Sequence, residues 1–240
     1  MKFDQIQVDR LNKEYESKNP EEILEWTLSN LHPNVALASS FGAEDVVIIH
    51  MLMEINPEAR VFTLDTGRLN QETYDVMDEI RNKYKINIEV MFPNQDEVEQ
   101  MVRAHGMNLF YKGIENRKLC CKIRKVHPLN RILSTLEGWI TGIRSDQTQN
   151  RADSRIFEID EQHGGILKVN PILYWSWEQV WDYIKANNIP YNKLHDNGYT
   201  SIGCEPCTRA IRPGEDLRAG RWWWERNSDK ECGLHVATHG

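Results

Sequence analysis

The sequence contains no apolar run near the roughly 20 residues that a membrane-spanning helix needs, although 40% of its 240 residues are hydrophobic. No membrane association is therefore expected. Residues 1–14 are charged, include acidic side chains and contain no apolar stretch. Neither a secretory signal nor a transit peptide is expected from them, and a cytoplasmic protein is. Cysteine is scarce, with five in all. An odd number in a reducing compartment argues against a disulfide framework and favours metal binding or redox chemistry. Positive charge is in deficit: the formal net charge is −7, which speaks against a general nucleic-acid binder. No internal repeat or low-complexity linker is present, and no Gly-Lys-Ser/Thr ending marks a Walker A loop.

What is present is a chain sized for one large α/β domain, or a domain with a functional tail. Asn19-Pro20-Glu21-Glu22 is a helix start, with Asn as cap, Pro at the first helical position and carboxylates in the first turn. Strands are predicted at 35–38, 61–64, 86–91, 139–143 and 166–169. Helices are predicted at 44–54, 71–84, 96–104, 120–133 and 176–186, the last capped by Ser176. Strands separated by helices imply a parallel sheet with helices on both faces, a Rossmann-like arrangement. Ligands of such sheets sit at the carboxyl ends of the strands, at the switch point. Past about residue 189 the pattern dissolves into a tail carrying three of the cysteines. The expected division is a nucleotide-binding α/β domain over 1–190, including the first cysteine pair, and a cysteine-bearing segment with a functional tail over 191–240.

Three strand ends carry anion-compatible residues. Ser39-Ser40-Phe41-Gly42-Ala43 places small residues before a helix N-terminus, where backbone N–H groups can approach an oxyanion. Leu64-Asp65-Thr66-Gly67 is a turn that can contact a nucleotide through backbone and side chains. Gly142-Ile143-Arg144 and Arg151 bring two guanidiniums suited to phosphate or sulfate. Singly, each also reads as a tight turn, an Asp-capped turn or surface arginines; together they point to one site. Residues 112–155 carry ten Lys/Arg against four Asp/Glu, a local excess of positive charge that suits a compact anion.

Cys120-Cys121 is followed, after 82 intervening residues, by Cys204-Glu205-Pro206-Cys207. Four thiolates favour zinc or an iron–sulfur cluster. Adjacent cysteines diverge and fit the separate vertices of a cluster better than one tetrahedral ion. Lys122, Arg124 and Lys125 would offset the negative charge of such a centre. Cys232, in Glu231-Cys232-Gly233-Leu234-His235, is left over. It is an idle tail cysteine or, with Arg218 and Arg221 stabilising its thiolate, a nucleophile.

These motifs together resemble the assimilatory adenylyl-sulfate reductases, within the wider phosphoadenylyl-sulfate reductase family. The matching segments are 39–45, 64–67, 120–129, Gly142-Ile143-Arg144 with Arg151, 203–208 and 231–235. The resemblance implies an adenine-nucleotide α-hydrolase-like fold and a [4Fe-4S] cluster on Cys120, Cys121, Cys204 and Cys207. It also implies thioredoxin or a glutaredoxin-like protein as reductant. Members restricted to the 3′-phosphorylated nucleotide generally lack the four cysteines, so adenosine 5′-phosphosulfate is the expected substrate, with a dual-substrate enzyme as alternative.

By this resemblance Cys232 attacks the sulfur of the phosphosulfate and becomes an S-sulfocysteine. Arg144, Arg151, Arg218 and Arg221 surround the phosphosulfate, and Lys125 lies between cluster and substrate. Ser39, Ser40, Phe41, Gly42, Leu64, Asp65, Thr66 and Gly67 hold the nucleotide, and His235 docks the tail. Two other readings remain open. An ATP pyrophosphatase is disfavoured because the loop at 39–43 departs from the Ser-Gly-Gly-x-Asp type. A zinc-stabilised nucleotide-binding module would have no catalysis. The sequence leaves a homo-oligomer open.

Overall fold

A computed structural model describes residues 3–147 and 153–225. Its sheet has six strands in the order β3-β2-β1-β4-β6-β5. These are β1 Val35–Ala38, β2 Arg60–Leu64, β3 Ile88–Met91, β4 Gly138–Ile140, β5 Phe157–Asp160 and β6 Ile166–Val169. β1 runs parallel to both β2 and β4, and β4 is parallel to β6. The central strands are apolar on both sides: Val35, Ala36, Leu37, Val61, Phe62, Trp139 and Ile140 are all buried. Continuous rather than alternating hydrophobicity is what a parallel sheet buried on both faces requires. Because β2 and β4 flank β1 on opposite sides, the chain order reverses between β1 and β4, which makes that gap the switch point.

The strand β5 was not expected. It pairs antiparallel with β6 at the sheet edge, Phe157 opposite Val169, so the sheet is mixed. Its sequence, Phe-Glu-Ile-Asp, is short and half polar, as an edge strand tolerates. An unexpected helix, α1 Gln5–Tyr15, precedes the predicted elements, with Asp4 and Gln7 forming a capping box. Asn12 of α1 donates Nδ2 to the Phe157 carbonyl at 2.8 Å and accepts the Phe157 N–H on Oδ1 at 3.1 Å. One side chain thereby occupies backbone groups that β5 would otherwise expose. The next helix, α2 Pro20–Leu31, has its predicted Asn19 cap and Pro20 at the first position.

The remaining helices are α3 Ala43–Ile55, α4 Gln71–Tyr84, α5 Gln95–His105, α6 Ile114–Cys121, α7 His127–Leu133 and α8 Trp177–Ala186. The helix predicted over 120–133 is broken. Between α6 and α7, Lys122–Val126 forms a π-helical turn. Pro128 has no N–H for the Arg124 carbonyl and its ring would crowd that carbonyl, so a wider turn at this point relieves both problems. Among the described residues no helix is long and apolar enough to cross a membrane.

By its internal contacts the chain forms two units, each assembled from separated segments. The first comprises Met1–Thr63, Asp75–Glu89 and Ile132–Asn192, and the second Leu64–Tyr74, Val90–Arg131 and Lys193–Gly240. The first holds most of the sheet. The second collects both cysteine pairs, so the grouping follows contact rather than the order 1–190 then 191–240.

Candidate functional site

In the first unit the relevant region is the carboxyl end of β1 and β4. After β1, Ser39 donates its N–H to the Phe62 carbonyl at 2.8 Å and accepts the Phe41 N–H on Oγ at 3.1 Å. Phe41 takes a left-handed conformation, φ 57°, which a residue other than glycine adopts only when held there. Its fully buried ring supplies that hold. Gly42 then caps α3.

Asp45, in the first turn of α3, accepts the Ser40 N–H at 2.6 Å and the Ser40 hydroxyl at 2.8 Å on the same oxygen. A further bond comes from the Gly42 backbone. Donors that an open anion loop would present are therefore engaged by the protein's own carboxylate. Burial pushes the Asp45 pKa up to about 6, against the opposing pull of the Ser40 hydrogen bonds. On the β4 side, a Cβ at Gly142 would stand 2.3 Å from Asp45 Oδ1, so a larger residue there would have to displace that carboxylate.

Arg144 is buried, 1% exposed. Its Nε donates to Glu44 Oε1 at 3.0 Å, and its Nη1 to Asp146 Oδ1 at 2.5 Å and to the Trp175 carbonyl at 3.2 Å. Gln147 Nε2 donates to the same Glu44 oxygen at 2.8 Å. Glu44, Asp45 and Gln147 were not singled out from sequence. The acidic pair at the start of α3 signals only a favourable helix N-terminus, and its link to Arg144 spans 100 residues.

In the second unit, Asp65 Oδ1 accepts the Gly67 N–H at 2.7 Å and the Tyr74 hydroxyl at 3.0 Å. That leaves Gly67 free to take φ 70°. The Thr66 hydroxyl lies 3.2 Å from Cys204 Sγ, and the Thr66 carbonyl accepts Arg124 Nη1 at 2.6 Å. The turn is held against the cysteine segment again by the Glu205 N–H, which donates to the Arg68 carbonyl at 2.9 Å.

Cys120 and Cys121 end α6 and are buried, as is Cys207, while Cys204 is half-buried. Cys120 and Cys207 pack in one cluster with Met101, Leu109, Phe110 and Trp222, with Cys204 and Trp224 against it. The thiols differ in acidity. Burial pushes Cys207 up to about 12, and the nearby Cys204 and Cys121 add to the effect. Burial also raises Cys120. For Cys204 burial is outweighed by Lys125, the Thr66 hydroxyl, Arg221 and Arg124, so its pKa falls below the ordinary thiol value.

Arg221 is buried; its Nη1 donates to the Ile202 carbonyl at 3.2 Å. Arg221 and Arg117 both stack on Trp222, at 4.8 and 4.4 Å, and Arg117 pairs with Glu225 at 3.0 Å in a buried ion pair. A Cβ at Gly203 would fall 2.4 Å from Arg221 Nη2. Arg218 is half-buried, its N–H given to Asp216. Arg151, Cys232 and His235 lie outside the described residues.

Whether the four cysteines fit a metal group can be judged from their surroundings. Among the described residues no three His, Cys, Asp or Glu side chains are arranged to hold a single metal ion. The donor set nonetheless suits a larger thiolate-bound group. Four mutually influencing thiols lie beside cations, and Arg124 Nε, Arg221 Nε and Trp224 Nε1 are buried donors without a hydrogen-bond partner. A bound cationic centre would also remove the penalty that holds Cys207 protonated, since a metal deprotonates a coordinating thiol.

The sheet order and switch-point loops define an α/β protein of the adenine-nucleotide α-hydrolase-like class. Residues 34–210 match the phosphoadenosine phosphosulfate reductase domain, and the chain belongs to that family. It is 50% identical to adenosine 5′-phosphosulfate reductase of Burkholderia cepacia over 86% of this chain and 82% of that one. With the Allochromatium vinosum protein of the same name it shares 44% over 84% and 78%. The crystal structure of phosphoadenylyl-sulfate reductase from Candida auris, a phosphate complex, superposes with a TM-score of 0.75 at 29% identity. It covers 88% of this chain and 99% of that one.

Proposed function

We propose that this protein reduces adenosine 5′-phosphosulfate to sulfite and AMP in sulfate assimilation. The observation that carries this reading is the 50% identity, over 86% of the chain, to a protein of that name. The cysteine quartet supports it, because a reductase restricted to the 3′-phosphorylated nucleotide is not expected to have one.

In the proposed reaction the Cys232 thiolate attacks the sulfur of the phosphosulfate. The S–O bond breaks, AMP leaves with the electron pair, and Cys232 carries the sulfo group. A thiolate of thioredoxin or a glutaredoxin-like dithiol then attacks Cys232 Sγ and sulfite leaves. The second thiol of the reductant resolves the mixed disulfide, so the dithiol is oxidised by two electrons as sulfur is reduced by two. Ser39, Ser40, Phe41 and Gly42, through groups other than the Ser40 and Gly42 donors that Asp45 holds, remain proposed nucleotide contacts, as does the turn 64–67. Arg151, Arg218 and Arg221 are the proposed phosphosulfate contacts, and positive charge there acts where the leaving phosphate gains charge. Lys125 and His235 retain their supporting roles.

Cys120, Cys121, Cys204 and Cys207 are the proposed ligands of a [4Fe-4S] cluster, whose contribution in this scheme is electrostatic and structural. We place the protein in the cytoplasm, in keeping with its proposed reductant. Cys232→Ser tests the mechanism: sulfite release should disappear while AMP binding, measured by calorimetry, persists. Turnover of the variant with thioredoxin would refute it. Parallel kinetics on the two sulfonucleotides decides the substrate.

A further inference from the structure

An arginine that serves an incoming anion must have hydrogen-bond donors to offer it. Arg144 lies 1% exposed and turns Nε to Glu44 and Nη1 to Asp146 and the Trp175 carbonyl, which leaves Nη2 as its remaining donor. Its guanidinium stacks over the Trp177 ring at 5.4 Å. Its own N–H donates to Gln147 Oε1 at 3.2 Å, and Gln147 returns Nε2 to Glu44 at 2.8 Å. Glu44 follows the loop after β1, whereas Arg144, Asp146 and Gln147 follow β4. A closed ring of hydrogen bonds, two of them charge-assisted on Glu44, therefore joins the two strand ends that frame the switch point. The same two segments meet a second time where Asp45 holds Ser40 and abuts Gly142.

The charges make sense of this ring. Carboxylates beside the loop would repel an approaching phosphosulfate, and the single Arg144 guanidinium offsets part of the charge of Glu44 and Asp146, with which it pairs. A buried arginine paired through two nitrogens is also held in one orientation. We propose that Glu44 and Arg144 are positioning residues for the sulfonucleotide. Their ion pair, closed by Gln147, sets the spacing between the loop at 39–42 and the segment at 142–147, and Arg144 gives its charge to Glu44 rather than to the substrate. This role rests on the reading that adenosine 5′-phosphosulfate binds at these strand ends.

A double-mutant cycle on the full-length protein tests it. Glu44→Ala and Arg144→Ala should each raise KM and weaken AMP binding on the order of tenfold, the scale of one lost charge-assisted hydrogen-bond pair, while kcat changes far less. The double variant should lose no more than the larger single loss, because both substitutions break the same ring. Glu44→Gln keeps an acceptor for Arg144 Nε and should recover most of the affinity lost in the alanine variant. Should the alanine variants not fold, Glu44→Gln against Arg144→Lys decides. Lysine cannot span Glu44, Asp146 and the Trp175 carbonyl, so it should bind AMP more weakly than the glutamine variant.

Losses that add, or an Arg144 loss with Glu44→Ala neutral or tighter, would overturn the role and make Arg144 a direct anion ligand. Glu44→Gln as weak as Glu44→Ala, or Arg144→Lys as tight as Glu44→Gln, would overturn it as well. If the wild-type protein binds AMP but yields no sulfite, the functional reading fails while the cycle is still read in AMP affinity.

Discussion

At the scale of single residues, Asp45 shows how burial and hydrogen bonding compete. The residue is 7% exposed and its carboxyl takes both the N–H and the hydroxyl of Ser40, yet burial wins and the pKa rises from 3.8 to about 6. The sign follows from linkage. The folded state holds this proton more tightly than the unfolded state, so its contribution is present below about pH 4 and is lost as pH rises to about 6. The span corresponds to at most roughly 3 kcal/mol. Asp45→Asn should flatten this window. In urea unfolding at pH 4.5 and pH 7, wild type should lose more stability between the two than the variant does. A parallel loss in both would assign the pH dependence to other groups.

At the scale of elements, the edge strand β5 depends on a side chain from another element. Asn12 of α1 replaces a neighbouring strand for Phe157 by giving and accepting one backbone hydrogen bond. Around it Tyr15, Trp26 and Phe157 stack edge to face or tilted. Asn12→Ala removes both bonds and leaves buried backbone groups unpaired, which costs about 1–3 kcal/mol. Urea denaturation checks the magnitude, and an unchanged midpoint would mean that the aromatic packing alone holds α1. This partnered pair is absent from the sequence expectation. β5 is too short and polar to read as a strand, and α1 is too charged to read as a buried helix. The helices with conventional caps, at Asn19 and Ser176, were legible because each signal is contained within four residues.

At the scale of the whole molecule, the two cysteine pairs are brought into one unit although 82 residues separate them. Anaerobically purified protein should contain iron and acid-labile sulfide, and Cys204→Ser should lose most of both. Zinc without iron would favour a non-catalytic module. Removal of the group should destabilise the second unit, because it leaves buried thiols, unpaired buried donors and clustered cations uncompensated. Thermal unfolding before and after chelation measures this directly.

The sequence by itself determined the alternation of strands and helices, the family, and the pairing of cysteines into a set of four. Each of these is written in local patterns: hydrophobic runs, cap residues, and spacings of a few positions. It also marked Arg144 and the loop at 39–43 as important, without showing whom they touch. Only the tertiary structure decided that Arg144 is buried against Glu44, that Asp45 occupies the donors of Ser40, and that Thr66 meets Cys204. The physical reason is that a hydrogen bond between residues 100 positions apart depends on strand order and loop geometry, neither of which leaves a periodic trace in the chain.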